Sequence, residues 1–128
     1  MKLVSLKEEL KMYDKGRCLT TCKIAGFTYY EGIEVLDKLQ IGTPVTLKAE
    51  PDNPYDPEAV VIFFEDTKIG YIPRSENHTL HWLLYFGHGN ILEAKINKRN
   101  LDTHPENQFG VIVKIKDNRN FIKKIMEK

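Results

Sequence analysis

Long apolar runs are missing from this chain. No stretch approaches the roughly 20 apolar residues that a membrane-spanning helix needs, and the first residues lack the charged-then-apolar layout of a secretory signal. A cytoplasmic protein with no membrane partner is the expectation. Cysteine is scarce, with Cys18 and Cys22 the only two. Their spacing could suit two metal ligands, but no second Cys or His pair stands at ligand spacing, and His78 and His81 fall on an apolar helical stretch. Zinc is therefore not expected. An excess of charge is missing too: 19 Lys and Arg against 18 Asp and Glu leave a net charge of +1. A chain that wraps long duplex by neutralising many phosphates usually carries a basic surplus. Extended duplex binding is thus disfavoured, whereas gripping one or two nucleotides in a pocket is not.

What is present is an ordinary apolar content of 41% and charged content of 29% over 128 residues, enough for one domain with a real core. Its centre of gravity is the stretch Glu50-Pro-Asp-Asn-Pro-Tyr-Asp-Pro-Glu-Ala59, which lies between two apolar runs. Pro44–Ala49 alternates with period two and Ala59–Phe64 is continuously apolar, so both read as strands. Pro51, Pro54 and Pro57 forbid helix or ladder pairing between them and push each preceding residue toward extended geometry. Asn53, Tyr55 and Asp56 therefore stand on a stiffened loop. Freedom already removed from a loop need not be removed on binding, and this loop reads as the floor of a binding site.

Residues 1–18 place Leu3, Leu6 and Leu10 at helical spacing among charged side chains, an amphipathic extension that could cap a strand edge or meet a protein partner. Leu19–Phe27 reads as the first strand, followed by the turn Thr28–Gly32 with Tyr29 and Tyr30 side by side. Neighbours on extended backbone face opposite ways, so one tyrosine can pack inward while the other stays free to stack. Ile33–Leu39 can make one or two helical turns. After the proline loop, Lys68–Ile72 reads as the fourth strand. Pro73, Ser75 and Glu76 give helix-start chemistry, and Leu80, Leu83 and Leu84, flanked by Trp82 and Phe86, give a stripe. Trp82 is expected in the core. Ile91–Lys98 and Phe109–Lys116 are two more strands, and 118–128 forms a tail that could end in a helix. The fold class is mainly β: a six-stranded antiparallel barrel resembling oligonucleotide-binding folds, spanning 19–117, with one firm helix after the fourth strand. Barrels of this kind hold single strands by stacking and backbone contacts.

The pieces Gly26-Phe-Thr-Tyr-Tyr-Glu-Gly32, Leu47 to Val60 with its Asn-Pro-Tyr-Asp-x-x-Ala-Val core at 53–60, and Ile69-Gly-Tyr-Ile-Pro-Arg74 resemble the HIRAN domain. That module occurs alone in bacteria and fused to Swi/Snf-type ATPases that remodel stalled replication forks. The resemblance runs from about Thr21 to Lys116 and implies a modified oligonucleotide-binding barrel, acting in DNA repair or fork processing, that captures the 3′ end of single-stranded DNA. By the same resemblance Tyr29 stacks a base and Asp56 binds the terminal 3′-hydroxyl. Asn53, Tyr55 and Tyr71 line the same DNA-binding pocket, and Arg74 faces phosphate. Thr28, Tyr71 and Pro73 stand where fork-remodelling members carry an arginine, a histidine and a lysine, so fewer cations line the implied phosphate track.

Each of these residues has a plainer reading beside the functional one. Asp56 and Asn53 could cap their own turn, Tyr55 could be barrel wall, and Arg74, which stands at a helix start that favours an anion, could instead be a solvated surface arginine. The histidines show no catalytic spacing. Glu50, Asp52, Asp56 and Glu58 make an acidic loop, but prolines separate them and the calcium-loop pattern is absent. No catalytic residue, metal or cofactor is assigned, and an enzyme is not expected. A module for a nucleotide, RNA or protein without preference for DNA ends is the alternative, favoured by the near-neutral charge.

Overall fold

The computed structural model describes residues 16–27 and 30–119, Glu31 by its backbone alone. Within them the chain forms six strands: β1 (Arg17–Lys23), β2 (Pro44–Glu50), β3 (Ala59–Phe64), β4 (Thr67–Tyr71), β5 (Leu92–Arg99) and β6 (Phe109–Ile115). All pairings are antiparallel, in the order β1-β6-β5-β2-β3-β4. Side chains alternate between the two faces of a strand, and burial follows the alternation. Val45 and Leu47 of β2 point inward, as do Leu92, Ala94 and Ile96 of β5 and Phe109, Val111 and Val113 of β6. They meet Val60, Ile62 and Phe64 of β3 and Ile69 of β4 in one core. Fully burying a side chain of this size contributes about 1.5–3 kcal/mol.

The sheet bends where β2 meets β5, because that pairing consists only of Pro44 with Lys95 and Val45 with Ala94. Beyond it β2 is free to run with β3 instead. The bend brings the chain just past β1 against β4. There Ala25 and Tyr71 exchange two backbone hydrogen bonds of 2.9 Å. The expected barrel is present as an antiparallel sheet rolled almost to closure. Gly70 makes the contact possible. Its φ is +153°, and a Cβ there would lie 2.5 Å from Ile24 and 2.6 Å from the Ala25 carbonyl. Only glycine tolerates both demands.

Short helical pieces pack against the sheet. A 3₁₀ helix over Glu31–Lys38 precedes buried Leu39. Another turn, Arg74–Glu76, leads into α1 (His78–Tyr85). Here one expectation fails: Trp82 is not core but 39% exposed. At 3.6 residues per turn, Leu80 and His81 take the inward positions, and Trp82 lies about 200° around from Leu80. The apolar residues surround this helix on nearly every side, so sequence alone does not choose a face. His81 is fully buried, with Nδ1 2.9 Å from the Ala59 carbonyl oxygen. Trp82 instead donates its indole N–H to Glu58 at the end of the proline loop. The expected amphipathic helix and C-terminal helix lie outside the described residues, apart from Gly16, from Arg17 and Cys18, which stand in β1, and from Asn118 and Arg119, which are not helical.

Candidate functional site

Loop 51–58, between β2 and β3, is held by its own polar side chains. Asn53 Oδ1 accepts hydrogen bonds from the amides of Tyr55 (2.8 Å) and Asp56 (3.0 Å), which caps the turn around Pro54. Its Nδ2 donates to Glu50 Oε1 at 2.7 Å and approaches the Tyr71 hydroxyl at 3.4 Å. Asn53 thus shapes the site from beneath. Asp56 Oδ1 accepts the Glu58 amide at 2.9 Å, and Oδ2 accepts the Asn77 side-chain amide at 2.8 Å. The Arg74 guanidinium stands 3.7 Å from the same Oδ2 and also donates to the Tyr55 carbonyl.

These contacts set the charge of Asp56. Partial burial opposes ionisation, but the Glu58 amide, the Asn77 amide and the nearby Arg74 outweigh it and hold the carboxyl below its ordinary range. Each carboxylate oxygen can accept two hydrogen bonds, so both keep accepting capacity beyond the donors that fix them. Asp56 is a charged, oriented acceptor that its own turn has not used up.

The opposite wall is built by β4 and the turn after β1. Tyr71 donates its hydroxyl to Glu50 Oε1 and receives a hydrogen bond from Lys68 Nζ, each at 2.7 Å. Burial first, and then the Glu50 carboxylate, push the Tyr71 phenol well above its usual value. It remains a neutral donor at any physiological pH. The Lys68 ammonium lies 4.4 Å from the Tyr30 ring centre and 4.6 Å from that of Tyr71, and the two rings meet edge-on.

Together these groups enclose a cavity of about 190 Å³, lined by Tyr30, Asn53, Tyr55, Asp56, Tyr71 and Arg74 among others. Five of the six residues singled out from sequence are therefore brought together. The sixth, Tyr29, lies with Thr28 outside the described residues. Its neighbour Tyr30 forms cavity wall and is half-buried against Tyr71. Tyr55 is 84% exposed and stands up from the loop as a free ring rather than as barrel wall. Arg74 is largely solvated, yet its head is tied to the loop. Sequence reasoning missed Asn77, only 3% exposed, and Lys68. Nothing in a lone Asn at a helix start announces a partner 21 positions away.

Among the described residues no group of three or more His, Cys, Asp and Glu could hold a metal ion, and no helix is long and apolar enough to cross a membrane. Two solved structures share the fold. One, a protein from Lactobacillus plantarum, is 23% identical with a TM-score of 0.66, covering 80% of this chain and 98% of that one. The other is the HIRAN domain of human HLTF, 15% identical with a TM-score of 0.53, covering 88% and 90%. No curated protein matches the sequence. The HIRAN domain model, however, matches residues 19–116, which takes in all six strands except the first two residues of β1, the proline loop and every wall of the cavity. The chain belongs to the HIRAN family.

Proposed function

We propose that this protein binds the 3′-hydroxyl end of single-stranded DNA, as a binding module rather than an enzyme, in repair or fork processing. One observation carries the reading. Asp56 is kept ionised and aimed by the Glu58 amide and Asn77, with accepting capacity to spare, at the wall of a cavity whose lining includes Tyr30, Tyr55 and Tyr71. A carboxylate accepts a hydrogen bond from a terminal hydroxyl and repels a terminal phosphate. The exposed Tyr55 ring offers a face on which any base can stack, worth about 1–3 kcal/mol without reading sequence. Tyr29 is a second stacking candidate by family resemblance.

The size of the cavity supports an end rather than a whole small molecule. At about 190 Å³ it falls short of the roughly 300 Å³ at which small-molecule sites begin, and a single sugar suits it better than a free nucleotide. The Arg74 guanidinium at its mouth, 70% exposed, supplies a cation for the phosphate next to that sugar. Membership of the HIRAN family, whose domains bind DNA, supports the same reading. Anisotropy of a labelled oligonucleotide ending in 3′-OH, compared with its 3′-phosphate twin, tests it. The hydroxyl end is expected to bind at least about tenfold more tightly, since one misplaced charge is worth more than about 1.4 kcal/mol. Equal affinities, or none detectable below about 100 µM at low salt, would remove the proposal.

A further inference from the structure

The outer face of β2, β3 and β4 carries a strip of side chains that starts at the cavity's Tyr30 and Tyr71 and runs on to Lys68, Phe63 and Lys48, which do not line the cavity. Strand register sets Lys48 opposite Val61 and Val61 opposite Tyr71. One row further from the loop, Thr46 faces Phe63 and Phe63 faces Lys68. Directly opposed residues share a face, and this is the one turned away from the core that Leu47, Val60 and Ile62 fill, although Val61 itself is covered at 3% exposure. The Lys48 ammonium lies 5.0 Å from the Phe63 ring centre, and Lys68 lies over Tyr30 and Tyr71. Leaving the loop, the surface therefore presents Tyr71 with Tyr30, then Lys68, Phe63 and Lys48: aromatic faces interleaved with ammonium groups. From Ala59 to Phe63 the strip runs about 13 Å at the usual rise of a strand.

Lysine over an aromatic ring can serve the sheet alone, as a cross-strand pair. Two further facts favour a ligand. Among the described residues neither lysine has a direct carboxylate ion-pair partner, a condition shared with Lys23, Lys38, Lys98, Lys114 and Lys116, so both ammonium groups can meet a phosphate without giving one up. The strip is also bounded: it begins at the Asp56 cavity and ends at the exposed acidic turn Glu65-Asp66, which would turn phosphates away. Two cations with rings between them, Lys48 without a carboxylate and Lys68 reaching Glu50 only through the Tyr71 hydroxyl, are continuous with the cavity and match a short single strand and no longer one.

We propose that this strip holds the nucleotides that precede the captured end, with phosphates on Lys68 and Lys48 and a base against Phe63. The proposal rests on the end-binding reading of the cavity and extends it outward. It also supplies, from β2 and β4, cations that Thr28 and Pro73 do not provide.

The test compares a thymidine dinucleotide with a decanucleotide, each ending in 3′-OH or 3′-phosphate, on the full chain and on Lys48→Glu and Phe63→Ala. Thermal melting first establishes that each variant is folded; exposed Lys48 makes the first the safer of the two. The decanucleotide should bind the unmodified chain about tenfold more tightly than the dinucleotide, since about 1 kcal/mol or more accompanies each added stacked base. Lys48→Glu and Phe63→Ala should each lose about fivefold or more of that affinity and leave the dinucleotide within twofold. Lys48→Glu should also flatten the salt dependence by about 0.7 in log–log slope, the share of one phosphate contact on a single strand. A 3′-OH preference without length dependence, or variants equal to the unmodified chain on the decanucleotide, overturns the strip and leaves the cavity reading standing. Length dependence that the variants abolish, without end preference, upholds the strip and removes the cavity reading. No binding to either oligonucleotide ends both.

Discussion

Asp56 is where one side chain decides most. Its carboxyl is held below the ordinary value near 3.8 in the folded chain, so the folded state binds that proton less readily than the unfolded one. Its contribution to stability is complete above the unfolded value. It shrinks as pH falls through the acid range and is gone below the depressed folded value. Asp56→Asn should therefore flatten the acid limb of stability, read as denaturant midpoints between pH 7 and pH 3. It should also abolish most of the penalty against a 3′-phosphate, because the repelling charge is gone while an accepting oxygen remains. Asn77→Ala separates orientation from charge. Removing a buried amide leaves Asp56 Oδ2 short of a donor, at about 1–3 kcal/mol, and should weaken 3′-OH binding while keeping the preference over phosphate. A variant that kept full affinity would show that Asn77 merely fills space.

The elements were legible in proportion to how local their causes are. Strands β5 and β6 announce themselves by alternation, and the proline loop by its three ring-locked positions, because these constraints act within a few residues. Helix α1 was legible as a helix but not in its facing. With Leu80, Trp82, Leu83, Leu84, Tyr85 and Phe86 around it, the buried side is chosen by what α1 packs on, and His81 won the place that Trp82 was expected to take. Near-closure of the sheet was likewise unreadable in detail. An isolated glycine in a strand signals close approach, but only the assembled sheet shows that Gly70 meets Ile24 and Ala25. Of the site, the loop residues were legible through their motif. Asn77 and Lys68 were not, since their roles arise from pairings between distant elements. Two predictions belong to this scale. Gly70→Ala should cost several kcal/mol, since it forces a strained φ and a backbone clash together, with the loss read in chemical denaturation. Trp82, the chain's one tryptophan, donates to Glu58 on the proline loop. Its emission should therefore shift when a 3′-OH oligonucleotide fills the adjacent cavity, and Glu58→Gln should shift the unliganded spectrum. An unchanged spectrum at saturating oligonucleotide would mean that the loop does not respond to the ligand.

At the scale of the whole molecule, the net charge of +1 sets how this protein can hold a polyanion. Long-range attraction is weak, so affinity must come from a few placed contacts rather than from a charged surface. Arg74 at the cavity, with Lys68 and Lys48 on the strip, would make about three phosphate contacts with a bound strand. Single strands release about 0.7 counterions per phosphate contacted, so the logarithm of affinity should fall with the logarithm of salt at a slope near −2. Duplex of the same length, which offers neither splayed bases nor an unpaired terminal sugar, should bind weakly at every salt concentration. Titration of both ligands between low and physiological salt measures these quantities directly. A slope several times steeper, shared by duplex and single strand, would mean that binding is spread over many surface cations. The Asp56 cavity would then not be what the protein uses to find its ligand.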